Sequence, residues 1–176
     1  LDLVMKKGSK YITILRDPVT QFVSAFVFFG IASKVRGNTT EEKVNNWMEK
    51  HSPRARYLNN NQIEDLGLSS SNFHKKSVMS SHIERIAREF DLVLLMEYFD
   101  ESLLLLRKMM CWSYDDILYL KQNVRSGVQI PLNQTVQNKI RRHNAADTQL
   151  YNHFNATLWR KVAEYGPTFR ADLKHF

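Results

Sequence analysis

Residues 11–29 read YITILRDPVTQFVSAFVFF, a short apolar run that passes through a polar turn into an amphipathic segment. The run from Tyr11 to Leu15 is typical of a strand buried in a parallel sheet. Asp17 is a preferred N-cap residue and Pro18 suits the first position of a helix. The pattern therefore predicts a strand, a tight turn and a helix that begins at Pro18.

The predicted helix has two different faces. Its apolar stripe consists of Val19, Phe22, Phe26 and Phe29. Thr20 and Ser24 lie one turn apart on another face, and Arg16 lies at the carboxyl end of the strand, where open α/β sheets bind ligands. Arg16, the N–H groups at the helix start and Ser24 are therefore predicted to bind phosphate or sulfate. The same residues also fit an ion pair between Arg16 and Asp17, with Ser24 bonded to a helix carbonyl.

Several blocks of the sequence resemble one group of sulfotransferases. Arg16 followed by Ser24, on a strand and the next helix, resembles the 3'-phosphate-binding element of sulfotransferases that use 3'-phosphoadenosine-5'-phosphosulfate (PAPS). The blocks that resemble the galactose-3-O-sulfotransferase family are ITILRDPV at 12–19, FDLVLLMEYFDESL at 90–103, CW at 111–112, DILY at 116–119 and HFNATLWRK at 153–161. They occur in order and span nearly the whole chain.

The resemblance implies both a fold and an activity. The expected fold is α/β: part of a sulfotransferase domain that resembles P-loop kinases, with a parallel sheet flanked by helices and a helix-rich C-terminal half. Residues 1–176 would be the C-terminal portion of this single domain. The implied reaction transfers sulfonate from PAPS to the 3-hydroxyl of galactose, in a galactosylceramide-type glycolipid or a glycoprotein glycan. Arg16 and Ser24 would bind the 3'-phosphate of the donor, and no metal is required.

Part of the machinery for this reaction is missing from the sequence. None of the 6 glycines forms a G-x-x-x-x-G-K-[S/T] loop. The resemblance places the loop for the 5'-phosphosulfate, and the histidine expected as general base, upstream of this chain, so we expect no catalytic residue within it. Lys121 and Arg125 are candidates for a second clamp on the donor, since related enzymes add basic groups from a late loop. Cations at the end of a short helix through Leu120 would complement its dipole, and this role is the one that the pattern favours for both residues.

Two further segments bear on the site. Leu92–Met96 is a second apolar run and predicts another buried strand. Glu97 and Tyr98 follow it, so we expect them at the same sheet edge as Arg16, where they either line the donor pocket or complete the edge of the core. Residues 53–74 are rich in Asn, Ser and Arg without a clear period, and they are predicted to form a long surface excursion.

Composition limits the other classes of function. The 25 basic and 18 acidic residues give a net charge of +7, which favours an anionic partner. The basic residues are scattered, so the continuous stripe of a nucleic-acid-binding surface is missing and we expect no nucleic-acid partner. One Cys and dispersed His residues give no cluster of metal ligands. The alternatives to the enzyme are a non-catalytic nucleotide-binding α/β module and a basic nucleic-acid-binding domain.

Three sequons indicate a compartment. Asn38, Asn133 and Asn155 each begin an N-glycosylation acceptor pattern. We expect at least one of them to carry a glycan in a secretory host, with Asn155 as the first choice. Asn155 lies one position away from the apolar stripe of its predicted helix, so its side chain is expected to face water. Their use would place the chain in the secretory lumen, in agreement with the type II Golgi membrane location that the resemblance implies. No run approaches the roughly 18 to 20 apolar residues of a membrane span, so the family's anchor is expected upstream.

Overall fold

The computed structural model describes residues 5–50, 56–120 and 132–176. Within these residues there are two strands, Ile12–Leu15 (β1) and Leu92–Leu95 (β2). The helices in chain order are Pro18–Phe28 (α1), Ile31–Lys34 (α2), Thr40–Lys50 (α3), Asn61–Asp65 (α4), Lys76–Glu89 (α5), Phe99–Met110 (α6), Gln134–His143 (α7), Ala145–Tyr165 (α8) and Phe169–His175 (α9).

The two strands form a parallel sheet. Ile12 lies opposite Leu92, and the register continues to Leu15 opposite Leu95. Helices α1 to α5 lie between the strands in sequence, and α7 to α9 make the C-terminal part almost entirely helical. The prediction of an α/β fold with a parallel sheet, flanking helices and a helix-rich C-terminal half is therefore confirmed.

The two strands differ in burial. All four residues of β2 are buried, whereas Ile12 and Ile14 of β1 are 45% and 46% exposed. The prediction that the first strand is buried is thus wrong for these two side chains. They point to a face of the sheet on which no other part of the described chain packs closely enough to bury them.

The described residues form two apolar clusters, one around β2 and one under α1. The first cluster surrounds β2 and includes Met79, Ile83, Leu104, Leu150, Phe154 and Leu158 from α5, α6 and α8. The second lies under α1 and includes Phe22, Phe26, Val44, Trp47, Val136 and Ile140 from α1, α3 and α7. Burial of these side chains supplies the main driving force for packing the helices around the sheet.

The prediction that residues 53–74 form a long surface excursion is wrong. From residue 56 onward this segment contains a 3₁₀ turn and α4, and Leu58, Ile63 and Leu68 are buried. Leu58 joins the second cluster, while Ile63 and Leu68 join the first. In this segment single apolar residues at irregular spacing fill gaps between helices. Because their spacing has no period, the sequence pattern does not predict their burial. Residues 53–55 lie outside the described part of the chain.

Candidate anion-binding site

Asp17 closes the turn between β1 and α1. Its Oδ1 accepts hydrogen bonds from the backbone N–H of Val19 at 3.0 Å and of Thr20 at 3.1 Å. Pro18 occupies the first helical position, where a missing N–H costs nothing. The predicted N-cap and the predicted start of the helix are therefore confirmed.

The backbone N–H groups at the start of α1 are engaged within the protein. Both carboxylate oxygens of Glu97 lie 3.0 Å from the N–H of Asp17. Pro18 has no N–H, and the next two residues donate to the Asp17 side chain. The expectation that free N–H groups take part in the site is therefore wrong. An anion at this edge has to be held by side chains, and the helix dipole adds only a favourable field.

The guanidinium of Arg16 lies along α1 and does not pair with Asp17. Its Nε donates to Thr20 Oγ1 at 3.1 Å. The Asp17 carboxylate lies instead 3.7 Å from Nη2 of Arg141. The alternative interpretation of Arg16 as the ion-pair partner of Asp17 is therefore wrong. Among residues 5–50, 56–120 and 132–176, no group accepts a hydrogen bond from the terminal nitrogens of Arg16, which leaves them available to an anion.

Ser24 supplies a hydroxyl on the same helix. It is half-buried and lies one turn beyond Thr20, so the two side chains share a face of α1. Its hydroxyl makes no hydrogen bond to any group in the described residues, so the alternative of a bond to a helix carbonyl is also wrong. A guanidinium fork and a free hydroxyl on one face suit a phosphate group, which accepts several charge-assisted hydrogen bonds.

Glu97 joins the carboxyl ends of the two strands. Besides the N–H of Asp17, its carboxylate binds Thr20 Oγ1 at 2.9 Å and the Tyr151 hydroxyl at 3.1 Å. Burial and the charge of Glu97 raise the pKa of Tyr151, so the phenol remains a protonated donor. The predicted position of Glu97 at this edge is confirmed. Tyr98 instead packs edge-to-face against Trp159, with ring centroids 4.9 Å apart.

The sequence did not predict the contribution of two residues at this turn. Arg141 adds a second guanidinium beside Asp17, and its only sequence signal is the Arg141-Arg142 pair at the end of a helix. Gln62 holds the main chain of Arg16 with its side-chain amide. Nothing in the sequence indicates this contact, because 46 residues separate the partners. The predicted clamp residues Lys121 and Arg125 lie outside the described residues.

The described residues contain no group of three His, Cys, Asp or Glu side chains that could hold a metal ion. None of the helices in this part of the chain combines the length and the apolar character needed to cross a membrane.

The three sequon asparagines have different surroundings. Asn38 is exposed in the loop before α3. Asn133 is exposed, but it caps α7 by accepting from Val136 N at 2.9 Å and donates its amide to Glu41. Asn155 lies in the middle of α8, and its Oδ1 is buried without a hydrogen-bond partner among the described residues. The expectation that Asn155 faces water is therefore wrong, because α8 packs on more than its apolar stripe.

The sequence as a whole matches one family of enzymes. A family model described as "Galactose-3-O-sulfotransferase" matches residues 1–173. The chain belongs to the galactose-3-O-sulfotransferase family. The resemblance inferred from the blocks between Ile12 and Lys161 is thereby confirmed.

Curated relatives agree with this assignment. Galactosylceramide sulfotransferase of Mus musculus is 37% identical over 172 residues, covering 93% of this chain and 41% of the relative. The Homo sapiens protein of the same name is 38% identical over 165 residues, with 89% and 39% covered. Galactose-3-O-sulfotransferase 3 of Mus musculus is 32% identical over 181 residues, with 94% and 41% covered. The chain thus spans about two fifths of the length of these relatives. No solved structure matches the chain.

Proposed function

We propose that this chain is part of a sulfotransferase that transfers sulfonate from PAPS to the 3-hydroxyl of galactose. Membership of the galactose-3-O-sulfotransferase family supports the reaction. The names of two groups of relatives, galactosylceramide sulfotransferase and galactose-3-O-sulfotransferase 3, support a galactose-terminated glycolipid or glycan as the acceptor. The observation that carries the proposal is this family match. The terminal nitrogens of Arg16 and the hydroxyl of Ser24, which have no hydrogen-bond partner among the described residues, support it.

Arg16 and Ser24 are proposed to hold the 3'-phosphate of the donor. The terminal nitrogens of Arg16 can donate to two phosphate oxygens, and the Ser24 hydroxyl can donate to a third. Thr20 orients the guanidinium through its bond to Nε. Lys121 and Arg125 remain proposed as further cations for the donor. The fit is chemical: the site offers donors and positive charge, and its two acidic neighbours are already engaged with N–H and hydroxyl groups.

The proposed reaction forms a bond between galactose O3 and sulfur. It breaks the bond between sulfur and the bridging oxygen of the 5'-phosphate, and 3',5'-bisphosphoadenosine leaves. The proton of the 3-hydroxyl passes to a general base, for which the family resemblance suggests a histidine outside this chain. The contribution of this chain is to bind and orient the donor at its 3'-phosphate, so that the sulfonate is presented to the acceptor.

The proposed domain is a P-loop-kinase-like sheet of which this chain supplies the C-terminal portion. Tyr11 directs its N–H and its C=O to Asp91 beside β2, at 2.9 Å each. Because backbone groups alternate along a strand, the N–H and C=O of Ile12 and Ile14 point to the opposite edge. This edge and the exposed side chains of both isoleucines suit pairing with a further strand. We propose that such a strand, with the loop for the 5'-phosphosulfate, comes from outside residues 1–176.

The function can be tested by sulfonate transfer in the complete protein. Purified protein with sulfur-labelled PAPS should label galactosylceramide or a galactose-terminated glycan, and linkage analysis should place the label at O3. Acceptors with a 3-O-methylated galactose are the matched control and should stay unlabelled. Binding of 3',5'-bisphosphoadenosine without transfer to any galactose acceptor would favour the non-catalytic module instead.

A lumenal location is proposed along with this function, with the protein held in the Golgi membrane by an anchor outside this chain. The sequon at Asn38 supports this location, because its side chain lies at the protein surface, where the secretory pathway attaches N-glycans. Its side chain makes no hydrogen bond within the described residues. Transfer of a glycan there breaks no contact in the described part of the chain, whereas Asn133 would have to give up its bond to Glu41.

We expect Asn38 to carry an N-glycan when the complete protein is made in a secretory host. The mass that the protein loses on glycosidase treatment should fall by one glycan in Asn38→Gln, because the site is exposed and lies in a loop. Asn155→Gln should change nothing, because a helical, half-buried amide cannot reach the transferase active site. Intact-mass measurement before and after glycosidase treatment checks both variants. Loss of a glycan with Asn155→Gln but not with Asn38→Gln would contradict the prediction.

A further inference from the structure

The side chain of Gln62 binds the main chain of Arg16 at two points. Arg16 N donates to Gln62 Oε1 at 2.8 Å, and Gln62 Nε2 donates to Arg16 O at 2.9 Å. A primary amide presents a donor and an acceptor side by side, as the peptide groups of a neighbouring strand do. Gln62 therefore satisfies both backbone groups of the residue that follows β1.

These bonds lie at the edge of β1 that faces away from β2. Tyr11 directs its backbone groups to the β2 side, and Arg16 is five residues further along an alternating strand. The amide of Gln62 thus takes the place that a further strand would take beside Arg16. Since both the N–H and the C=O are held, rotation of the main chain on either side of the Arg16 Cα is restricted.

Gln62 is itself held by two helices that cap each other. On α4, the N–H groups of Gln62 and Ile63 donate to the Asp147 carboxylate at 3.2 Å and 2.8 Å. In return, Asn60 Oδ1 accepts from the N–H groups of Ala146 and Asp147, at the start of α8, at 2.9 Å and 3.0 Å. Asn60 and Asp147 are buried, with 4% and 2% of their surface exposed. The amide of Gln62 is therefore anchored to the packed interior.

We propose that Gln62 is a positioning residue of the donor site, which fixes the main chain of Arg16 so that its guanidinium meets the 3'-phosphate. This inference rests on the proposed function of Arg16. Gln62 does not touch the phosphate. It limits the conformations of the Arg16 main chain before the phosphate binds. Less conformational entropy is therefore lost on binding. Its removal should weaken recognition of the 3'-phosphate and leave the rest of the donor unaffected.

The test compares two ligands in the complete protein. Gln62→Met keeps the length of the side chain and its helix propensity but loses both hydrogen bonds. It should weaken binding of 3',5'-bisphosphoadenosine roughly threefold to tenfold, the usual range for one net hydrogen bond. Binding of adenosine 5'-phosphate, which lacks the 3'-phosphate, should not change. A merely structural loss of stability would not move the ratio between the two affinities.

Two further variants make the outcome decisive. Gln149→Ala removes an amide that bonds Ser80 at the surface at 3.0 Å, and it should leave both affinities unchanged. Combined with Arg16→Ala, Gln62→Met should cause no additional loss, because Gln62 acts only through Arg16. If Arg16→Ala loses the 3'-phosphate preference while Gln62→Met keeps it, the inference about Gln62 is overturned and the donor site stands. If Arg16→Ala keeps the preference, the donor site itself is overturned.

Discussion

Replacement of Arg16 by alanine should weaken binding of 3',5'-bisphosphoadenosine to the complete protein by tenfold to more than a hundredfold. The guanidinium has no other acceptor for its terminal nitrogens in the described chain, so its loss removes charge-assisted bonds to the phosphate. Such bonds contribute on the order of 1.5 to 3 kcal/mol each. At about 1.4 kcal/mol for each tenfold change, this gives the expected range.

Ser24→Ala tests the same phosphate with less disturbance of the protein. Alanine favours the helix, and the Ser24 hydroxyl has no partner to lose in the described residues. We expect about a tenfold loss in affinity for the bisphosphate and an unchanged melting temperature. Ser33→Ala is the matched control, since this exposed serine bonds only Gly30 O, at 2.6 Å, among the described residues and should not affect binding.

The measurement for both variants is the ratio of affinities for 3',5'-bisphosphoadenosine and adenosine 5'-phosphate. Loss of the first with retention of the second identifies the contact as one to the 3'-phosphate. Arg16→Ala also frees Thr20 Oγ1, but Glu97 still binds that hydroxyl, so the turn should persist. If Ser24→Ala binds both ligands as the parent does while melting at the same temperature, Ser24 is only a packed helix serine.

The parts of this site that could be predicted from the sequence are those built from neighbouring residues. Asp17 and Pro18 determine the start of α1 through local hydrogen bonding and a fixed backbone angle, and the structure agrees. The engagement of the Asp17 N–H could not be predicted in this way. It depends on Glu97, which lies 80 residues away in sequence, and only the pairing of β1 with β2 brings the two together.

Gln62 and Asn155 show two other limits of the sequence. Gln62 lies in a segment without periodicity, and its role depends on α4 packing against the start of α8. Asn155 lies beside an apolar stripe, and a stripe describes only one packed face of a helix. Helix α8 contacts β2 as well as α4, α5 and α6, so residues beside the stripe are also covered. Burial of such positions is decided by tertiary packing.

The buried carboxylate of Asp147 should make the stability of the protein depend on pH. Burial raises its pKa from the ordinary value of 3.8 to about 6. The N–H groups of Ile63 and Gln62 oppose this rise, and the nearby charge of Asp65 adds to it. Between about pH 4 and pH 6 the folded protein therefore holds a proton on Asp147 that the unfolded chain has released.

The sign of the effect follows from this difference in bound protons. Because the folded state binds more protons in that window, the contribution of Asp147 to the free energy of unfolding is fully present below about pH 4. It is lost as the pH rises through about 6. A shift of about two pKa units, at about 1.4 kcal/mol each, gives a change on the order of 3 kcal/mol. Asp91, Asp116 and Asp172 have lowered pKa values, so their contributions have the opposite sign.

Comparison with Asp147→Asn isolates the effect, because the other carboxylates are the same in both proteins. The free energy of unfolding is measured by denaturant titration of the complete protein at intervals between pH 4 and pH 7. The parent's stability relative to the variant should fall by up to about 3 kcal/mol across this range, whatever the absolute cost of the substitution. Asp115→Asn, the same change at an exposed position, should give a curve parallel to that of the parent. A parallel curve for Asp147→Asn as well would mean that Asp147 is ionised throughout, with its two N–H bonds outweighing the penalty of burial.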